Sequence, residues 1–113
     1  MPFIRVSTTQ TFDEAKRTEL SQNIAECIRL LPDKPPERSM VQIEVGCNIY
    51  RGGVKAECAF VETLFQKPLS TESQKEYIEA MYALFQKELG LTPKQIYFAM
   101  VDLDVWGSNG TLR

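Results

Sequence analysis

The chain has 113 residues, of which 43% are hydrophobic and 25% charged, so we predict one domain over residues 1–113 with a real core. Its 13 basic and 15 acidic residues leave a formal net charge of -2, and without a basic stripe a nucleic-acid partner is excluded. An apolar run of about 18 residues and a signal-peptide core are both absent, which predicts a cytoplasmic protein without a membrane partner.

The first predicted strand covers residues 2–7 and opens with Pro2. Proline is accepted at the first residue of a strand. Removal of Met1 also makes Pro2 a free secondary amine. The sequence contains no histidine, so the α-amine is the remaining group whose unperturbed pKa, about 7.7 to 8.0, lies near neutrality. Pro2 is therefore the candidate base.

The first predicted helix covers residues 13–31. Its apolar residues recur at the spacing of one buried face. They are Leu20, Ile24, Cys27, Ile28 and Leu31. Asp13 is a candidate N-cap, and Thr11 with Glu14 matches a capping box as well.

The second predicted helix repeats this apolar face and stops at Gly90, as a helix with a glycine after its last turn does. The face consists of Tyr77, Met81, Leu84 and Phe85. Ser70 is a candidate N-cap, with Thr71 and Gln74 as the capping-box alternative.

The two halves of the chain, about 1–56 and 57–113, form an internal repeat at a constant offset of fifty-seven residues. Matching pairs include Asp13 with Ser70, Leu20 with Tyr77, Ile24 with Met81, Ile28 with Phe85 and Pro36 with Pro93. Each half reads as strand, helix and strand, so we predict two pseudo-symmetric units.

The remaining predicted strands cover residues 40–45, 56–64 and 96–101. Since β-α-β units are right-handed and parallel, the two units predict an α+β two-layer sandwich: a four-stranded sheet with two helices on one face. Residues 96–101 are apolar on both alternating faces, which is typical of a strand buried from both sides. Two helices cannot cover both faces, and self-association is the expected cover.

The three cysteines are Cys27, Cys47 and Cys58, without a C-x-x-C pair. This pattern favours small buried residues over a disulfide framework or a zinc site. We therefore expect no metal and no cofactor.

Four motifs in order along the chain resemble the tautomerase superfamily, in the branch of macrophage migration inhibitory factor and the phenylpyruvate tautomerases. The motifs are MPFI at the start, Lys34-Pro35-Pro36, the hairpin Arg51-Gly52-Gly53 leading to Cys58-Ala59-Phe60-Val61, and Trp106-Gly107-Ser108-Asn109-Gly110-Thr111. The resemblance implies a β-α-β-β-α-β protomer and a homotrimer with active sites between subunits. The expected location is the cytoplasm, and secretion without a leader peptide is the alternative.

The function that the resemblance implies is keto-enol tautomerisation of a small α-keto acid such as phenylpyruvate. Pro2 is then the general base, which must be neutral near pH 7 and hence desolvated beside positive charge. Lys34 corresponds to the residue that holds the substrate carboxylate.

Three further residues take substrate-binding roles through the resemblance. Tyr97 matches a tyrosine that a neighbouring subunit contributes, and Trp106 lies in the tail along the aromatic side of the pocket. Gln66 stands in the segment beside the proline where a backbone N–H contacts substrate. Ala99 replaces a substrate-binding asparagine of close relatives, so substrate preference is open.

Two other functions stay open from the sequence. Lys67-Pro68 and Glu72-Ser73-Gln74-Lys75 resemble the decarboxylase branch locally, so dehalogenation or decarboxylation of a three-carbon acid is one alternative. Those enzymes, however, have an arginine pair where this chain has Lys67 and Leu69. A cytokine-like interaction protein with a vestigial pocket is the other. Turnover of an enolisable aryl pyruvate separates the tautomerase from the interaction protein.

Overall fold

Across residues 2–113, the part of the chain that the computed structural model describes, two helices and four long strands form two layers, with two short hairpins beside them. The elements are β1 (Phe3–Thr8), α1 (Glu14–Ile28), β2 (Met40–Glu44), β3 (Tyr50–Arg51), β4 (Val54–Lys55), β5 (Ala59–Gln66), α2 (Thr71–Leu89), β6 (Ile96–Leu103), β7 (Gly107–Ser108) and β8 (Thr111–Leu112). Single 3-10 turns, Pro36–Arg38 and Pro93–Gln95, precede β2 and β6.

The main sheet has the strand order β2-β1-β5-β6. β1 pairs in parallel with β2, β5 pairs in parallel with β6, and the two units meet through the antiparallel pair of β1 and β5. The predicted α+β sheet of four strands is confirmed. Because β1 is central, its first residues are flanked by strands on both sides.

Both helices pack on one face of this sheet, as predicted. The fully buried core combines helix residues with alternate strand residues. Its members include Leu20, Ile24, Ile28, Tyr77, Met81 and Phe85 from the helices and Ile4, Val6, Val61 and Ile96 from the strands. Within residues 2–113 neither helix is long and apolar enough to cross a bilayer.

The opposite face of the sheet, called the open face below, has no helix against it. It carries Phe3, Phe60, Tyr97, Ala99 and Val101 together with an ion pair between Arg5 and Glu62 at 3.0 Å. Phe60 is 40% exposed and Val101 38% exposed. On β6 the other side chains, Phe98 and Met100, pack against the core, so this strand is apolar on both faces.

Both helices begin at the N-cap residues that the sequence predicts. Asp13 accepts a hydrogen bond from Lys16 N–H at 2.9 Å, and Ser70 accepts one from Ser73 N–H at 3.1 Å, so these two residues are the N-caps. α2 ends at Gly90 with φ 66°, the left-handed conformation that glycine adopts without cost.

The end of α1 corrects the sequence prediction, because the helix stops at Ile28 and not at residue 31. Leu30 N–H donates to the Cys27 carbonyl and Leu31 N–H to the Ile28 carbonyl. These tighter bonds close the last turn, and Pro32, which has no N–H, prevents a further one.

Strand boundaries also shift from the predicted ones. β5 begins at Ala59 and not at residue 56, because Ala56 N–H donates to the Ile49 carbonyl at 3.0 Å and closes the β3–β4 hairpin. β5 and β6 extend two residues beyond their predicted ends, to Gln66 and Leu103, where they pair with each other.

An offset of fifty-seven residues also relates the minor elements. It relates Pro36–Arg38 to Pro93–Gln95, β3 to β7 and β4 to β8. The hairpin turns Gly52-Gly53 and Asn109-Gly110 both have two positive φ angles, as a type I′ turn requires. Asn109 is acceptable there because asparagine tolerates the left-handed conformation.

Candidate active site

Pro2 is buried at the amino-terminal end of the central strand β1. Its carbonyl accepts a hydrogen bond from Met40 N–H at 3.0 Å, and the next residue, Phe3, pairs with Met40 on one side and Leu64 on the other. Met1 lies outside the described residues. The backbone thus fixes Pro2 at one end of the sheet, called the proline end below.

Lys34 lies on the segment that connects α1 to β2 at the proline end. It is half-buried, and its N–H donates to the Leu31 carbonyl at 3.3 Å. Pro35 and the 3-10 turn that follows limit the freedom of this segment. The side chain lines a shallow depression of about 380 Å³. Since β2 starts beside Pro2, the segment brings a cation to the same end of the sheet as the candidate base.

Gln66 ends β5 at the proline end, but its side-chain amide is engaged by the carboxy-terminal tail. Its Nε2 donates to the Arg113 carbonyl at 2.8 Å and to the Asp104 carbonyl at 3.3 Å. The side chain therefore anchors the tail. Its predicted contact with substrate through the backbone N–H stays a prediction.

Trp106 lies at the base of the tail hairpin that Gln66 anchors. Trp106 and Arg113 exchange two backbone hydrogen bonds of 2.9 and 2.8 Å, which extend the β7–β8 pair. The indole is half-buried. The fold therefore brings Trp106 to the same end of the sheet as Pro2, Lys34 and Gln66.

Tyr97 lies at the other end of the sheet. It pairs with Phe60, which pairs in turn with Ser7 at the far end of β1. The six-residue distance along β6 from Tyr97 to Leu103, at the proline end, corresponds to about 20 Å. One chain therefore does not bring Tyr97 to Pro2, and a site containing both needs a second chain.

A cavity of about 470 Å³ lies beside Tyr97, between the β3–β4 hairpin and the starts of β5 and β6. Its lining is mostly apolar, with Ile49, Ala56 and Phe60 among the residues. Arg51 also lines it, and its guanidinium carbon lies 5.9 Å from the centre of the Tyr97 ring. In the sequence Arg51 is recognisable only as part of a turn motif, because its contact with Tyr97 depends on how the hairpin folds over β6.

Other polar groups of the predicted motifs have structural partners. Lys67 Nζ lies 3.2 Å from Asp104 and 3.7 Å from Asp102. Burial raises the pKa of the Cys58 and Cys27 thiols, which makes them poor nucleophiles. Within residues 2–113, His, Cys, Asp and Glu form no cluster that could hold a metal ion.

The family comparison agrees with these motifs. Residues 1–112 match the family model described as macrophage migration inhibitory factor (MIF). Among curated proteins, none matches the sequence.

Solved structures with the same fold cover nearly the whole chain. The crystal structure of MIF2 from Leishmania major superposes with a TM-score of 0.89 at 25% identity, covering 100% of this chain and 97% of that one. A fused 4-OT, described as an asymmetric trimer, has a TM-score of 0.86 at 14% identity and coverages of 96% and 94%. Pt0534, inactivated by 2-oxo-3-pentynoate, has a TM-score of 0.79 at 13% identity and coverages of 89% and 85%.

Proposed function

The chain belongs to the macrophage migration inhibitory factor family, and we propose that it is a keto-enol tautomerase of small α-keto acids such as phenylpyruvate, with Pro2 as its base. The observation that carries the proposal is the burial of Pro2 at one end of the sheet beside the segment of Lys34. A buried amine loses the hydration of its protonated form, which favours the neutral base.

The proposed reaction moves one proton in two steps. The neutral Pro2 nitrogen takes a proton from the carbon next to the ketone, so a C–H bond breaks, an N–H bond forms and the electron pair becomes an enolate. The protonated nitrogen then returns the proton to the enolate oxygen, which gives the enol and the neutral amine. Lys34 holds the substrate carboxylate and stabilises the developing negative charge.

We propose further that the working unit is a homotrimer with sites between subunits. The open face and the separation of Tyr97 from Pro2 support this arrangement. The fused 4-OT structure with the same fold is described as a trimer. In such an assembly one chain supplies Pro2, Lys34 and Trp106, and a neighbour supplies Tyr97.

The decarboxylase alternative is disfavoured by the position of Lys67. That reading needs a cation at residue 67 to bind an acid, but Asp102 and Asp104 already flank this ammonium. The alternative of an interaction protein with a vestigial pocket is tested by turnover.

The test compares two forms of the protein, verified by intact mass, with phenylpyruvate as substrate. The form that begins at Pro2 should catalyse tautomerisation, whereas the form that retains Met1 should be slower by about 10²- to 10⁴-fold, the usual contribution of a general base. An acylated proline nitrogen is an amide and has no basic lone pair. Equal rates would show that Pro2 is not the base.

A second test uses 2-oxo-3-pentynoate, the reagent that inactivated Pt0534. A neutral amine adds as a nucleophile to an activated alkyne, so we expect one adduct per chain. Peptide mass spectrometry should locate this adduct on Pro2. Protein with Met1 retained is the control and should carry no adduct on Pro2, because its Pro2 nitrogen is an amide. Labelling of Cys47 alone would instead indicate unspecific thiol chemistry.

A further inference from the structure

A row of polar side chains crosses the middle of the open face. The strand register places Gln42 beside Arg5, Arg5 beside Glu62 and Glu62 beside Ala99. The next row toward the proline end is apolar throughout and consists of Met40, Phe3, Leu64 and Val101. The row on the other side includes the aromatic residues Phe60 and Tyr97. Two opposite charges therefore lie at the centre of a largely apolar face.

The ion pair between Arg5 and Glu62 leaves hydrogen-bonding groups for another partner. Nε of Arg5 donates to Oε2 of Glu62 at 3.0 Å. Among the side-chain hydrogen bonds and ion pairs within residues 2–113, this contact is the only one that either side chain makes. The guanidinium has further N–H donors and the carboxylate has a second oxygen. Both side chains are partly exposed, at 42% and 31%, so a second chain can reach these groups.

The two ends of the row keep the ion pair accessible. Gln42 turns its amide along β2, where Nε2 donates to the Glu44 carboxylate at 2.6 Å. On the other side Ala99 ends at its Cβ and leaves space beside Glu62. Since the strand order is β2-β1-β5-β6, the positive charge lies toward the β2 edge of the sheet and the negative charge toward the β6 edge.

Covering this pair of charges favours a partner that supplies the same two charges. Removing an ion pair from water costs more free energy than one hydrogen bond recovers, unless further hydrogen bonds form. In a closed ring of identical chains, one side of each protomer meets the opposite side of the next. The positive side of one row then faces the negative side of its neighbour. A copy of this chain therefore matches the row, whereas a partner with a single sign of charge does not.

We propose that Arg5 and Glu62 pair between chains as well as within one chain, and that these contacts make assembly selective for copies of the same chain. The inference rests on the proposed homotrimer, because it takes the open face as the interface. Arg5 of each chain binds the remaining carboxylate oxygen of Glu62 in the next chain, which closes a ring of charged contacts. The interface thereby rejects a chain in which the two charges are exchanged.

The test mixes the wild type with the double variant Arg5→Glu/Glu62→Arg. The variant keeps the ion pair within its own chain, so we expect it to fold and to form homotrimers. Each contact between the two kinds of chain, however, joins like charges. After equal amounts are refolded together, native mass spectrometry should find mixed trimers in less than about a tenth of the assemblies, against about three quarters for random assembly. Random mixing overturns the proposal.

The matched control is Glu26→Arg/Arg29→Glu, which exchanges an ion pair on the exposed side of α1, away from the open face. Chains with this exchange should mix with the wild type at random. Selective assembly in the control as well would show that charge exchange at any surface sorts the chains, and would overturn the role of the open face.

A second mixture keeps the inference testable if the double variant does not fold. Arg5→Glu places two acidic residues at the pair and Glu62→Arg two basic ones, so each variant alone should need about ten- to a hundredfold more protein to assemble. Together the acidic and basic chains attract each other across the interface, and mixed trimers should predominate. Wild-type assembly of the single variants, or no enrichment of mixed trimers, contradicts the inference.

These experiments separate the inference from the proposed reaction, because native mass spectrometry requires no turnover. A wild type that forms trimers and sorts from the double variant, yet does not tautomerise phenylpyruvate, would refute the reaction and support the charged ring. A wild type that stays monomeric would refute the ring together with the trimer.

Discussion

Two residues at the proline end show how a side chain gains a role through its surroundings. Lys34 and Lys67 are both lysines close to a proline in the sequence. The ammonium of Lys67 lies between two aspartates, and these carboxylates raise its pKa. Lys34 lines a depression at the same end of the sheet. Its position, more than its residue type, makes it the candidate for binding substrate.

We predict that Lys34→Ala lowers kcat/KM for phenylpyruvate by about ten- to a hundredfold, the cost of about 1.5 to 3 kcal/mol for a lost hydrogen bond to a charged group. The melting temperature should change little, because the side chain is only half-buried. Lys34→Arg should recover part of the activity.

Lys67→Ala provides the matched control at the same end of the sheet and should leave kcat/KM nearly unchanged. Wild-type kinetics in Lys34→Ala would mean that Lys34 does not bind the carboxylate.

Gln66 is the residue that ties the tail to the sheet, which leads to a second prediction. Gln66→Ala removes both amide hydrogen bonds to the carbonyls of Arg113 and Asp104. We expect the tail hairpin to loosen while the core stays folded. Trp106 is the single tryptophan of the sequence, so its fluorescence reports on the tail, and its emission should shift to longer wavelength with greater quenching by iodide.

The control for this experiment is Gln86→Ala, at an exposed position of α2, which should leave the emission as in the wild type. Gln66→Ala should also raise KM more than it changes kcat, since the tail positions Trp106 along the substrate. Unchanged Trp106 emission would contradict the anchoring role.

At the level of elements, the two helices are joined by an ion pair between Lys16 of α1 and Glu88 of α2. Their hydrogen bond lowers the pKa of Glu88 and raises that of Lys16. Asn23 of α1 also donates to Glu88, at 3.2 Å. These contacts connect the first turn and the middle of α1 to the last turn of α2, so they hold the two units together on the helix side.

The pH dependence of stability follows from these shifts. The lowered pKa of Glu88 gives a stabilisation that is present above its unfolded pKa of about 4.3 and is lost as the pH falls through the folded pKa. The raised pKa of Lys16 gives a stabilisation that is fully present below its unfolded pKa of about 10.4 and is lost as the pH rises through the folded pKa. Glu88→Gln should therefore lower the melting temperature at pH 7, and the difference from the wild type should disappear as the pH falls through the lowered folded pKa of Glu88.

Glu79→Gln is the control, because Glu79 is exposed on the same helix and should show little change at either pH. A melting-temperature difference between Glu88→Gln and the wild type that persists unchanged at acidic pH would rule out the ion pair as its source.

For the whole molecule, the open face and the separation of Tyr97 from Pro2 both lead us to predict a homotrimer. Sedimentation at micromolar concentration should give about three times the chain mass of 12.9 kDa. A monomer would leave Tyr97 about 20 Å along the sheet from the proline end and would contradict the shared site.

Mixed assemblies test the division of the site directly. Pro2→Ala and Tyr97→Ala should each lose most activity. Co-refolding equal amounts of the two variants should restore activity in about one site in four, because that fraction combines an intact Pro2 with an intact Tyr97 from different chains. Recovery that stays at zero, with mixed trimers verified by native mass spectrometry, would place both residues in the site of a single chain or exclude Tyr97 from it.

The local features of this protein were predictable from the sequence. The caps Asp13 and Ser70, the stop at Gly90 and the apolar helix faces depend on residues within a few positions of each other. The offset of fifty-seven residues is visible for the same reason, since each unit carries its own local signals. These signals predicted the two helices, the four main strands and the open face, and they directed attention to Pro2.

The tertiary structure alone decided the contacts between distant segments. Gln66 lies forty-seven residues from Arg113, to whose carbonyl it donates, and Arg51 meets Tyr97 only because the hairpin folds over the start of β6. Such contacts depend on strand order and on how the chain turns back, which residue spacing does not encode. The sequence by itself therefore determined the elements and the candidate base, whereas the sheet order decided that Tyr97 lies away from Pro2.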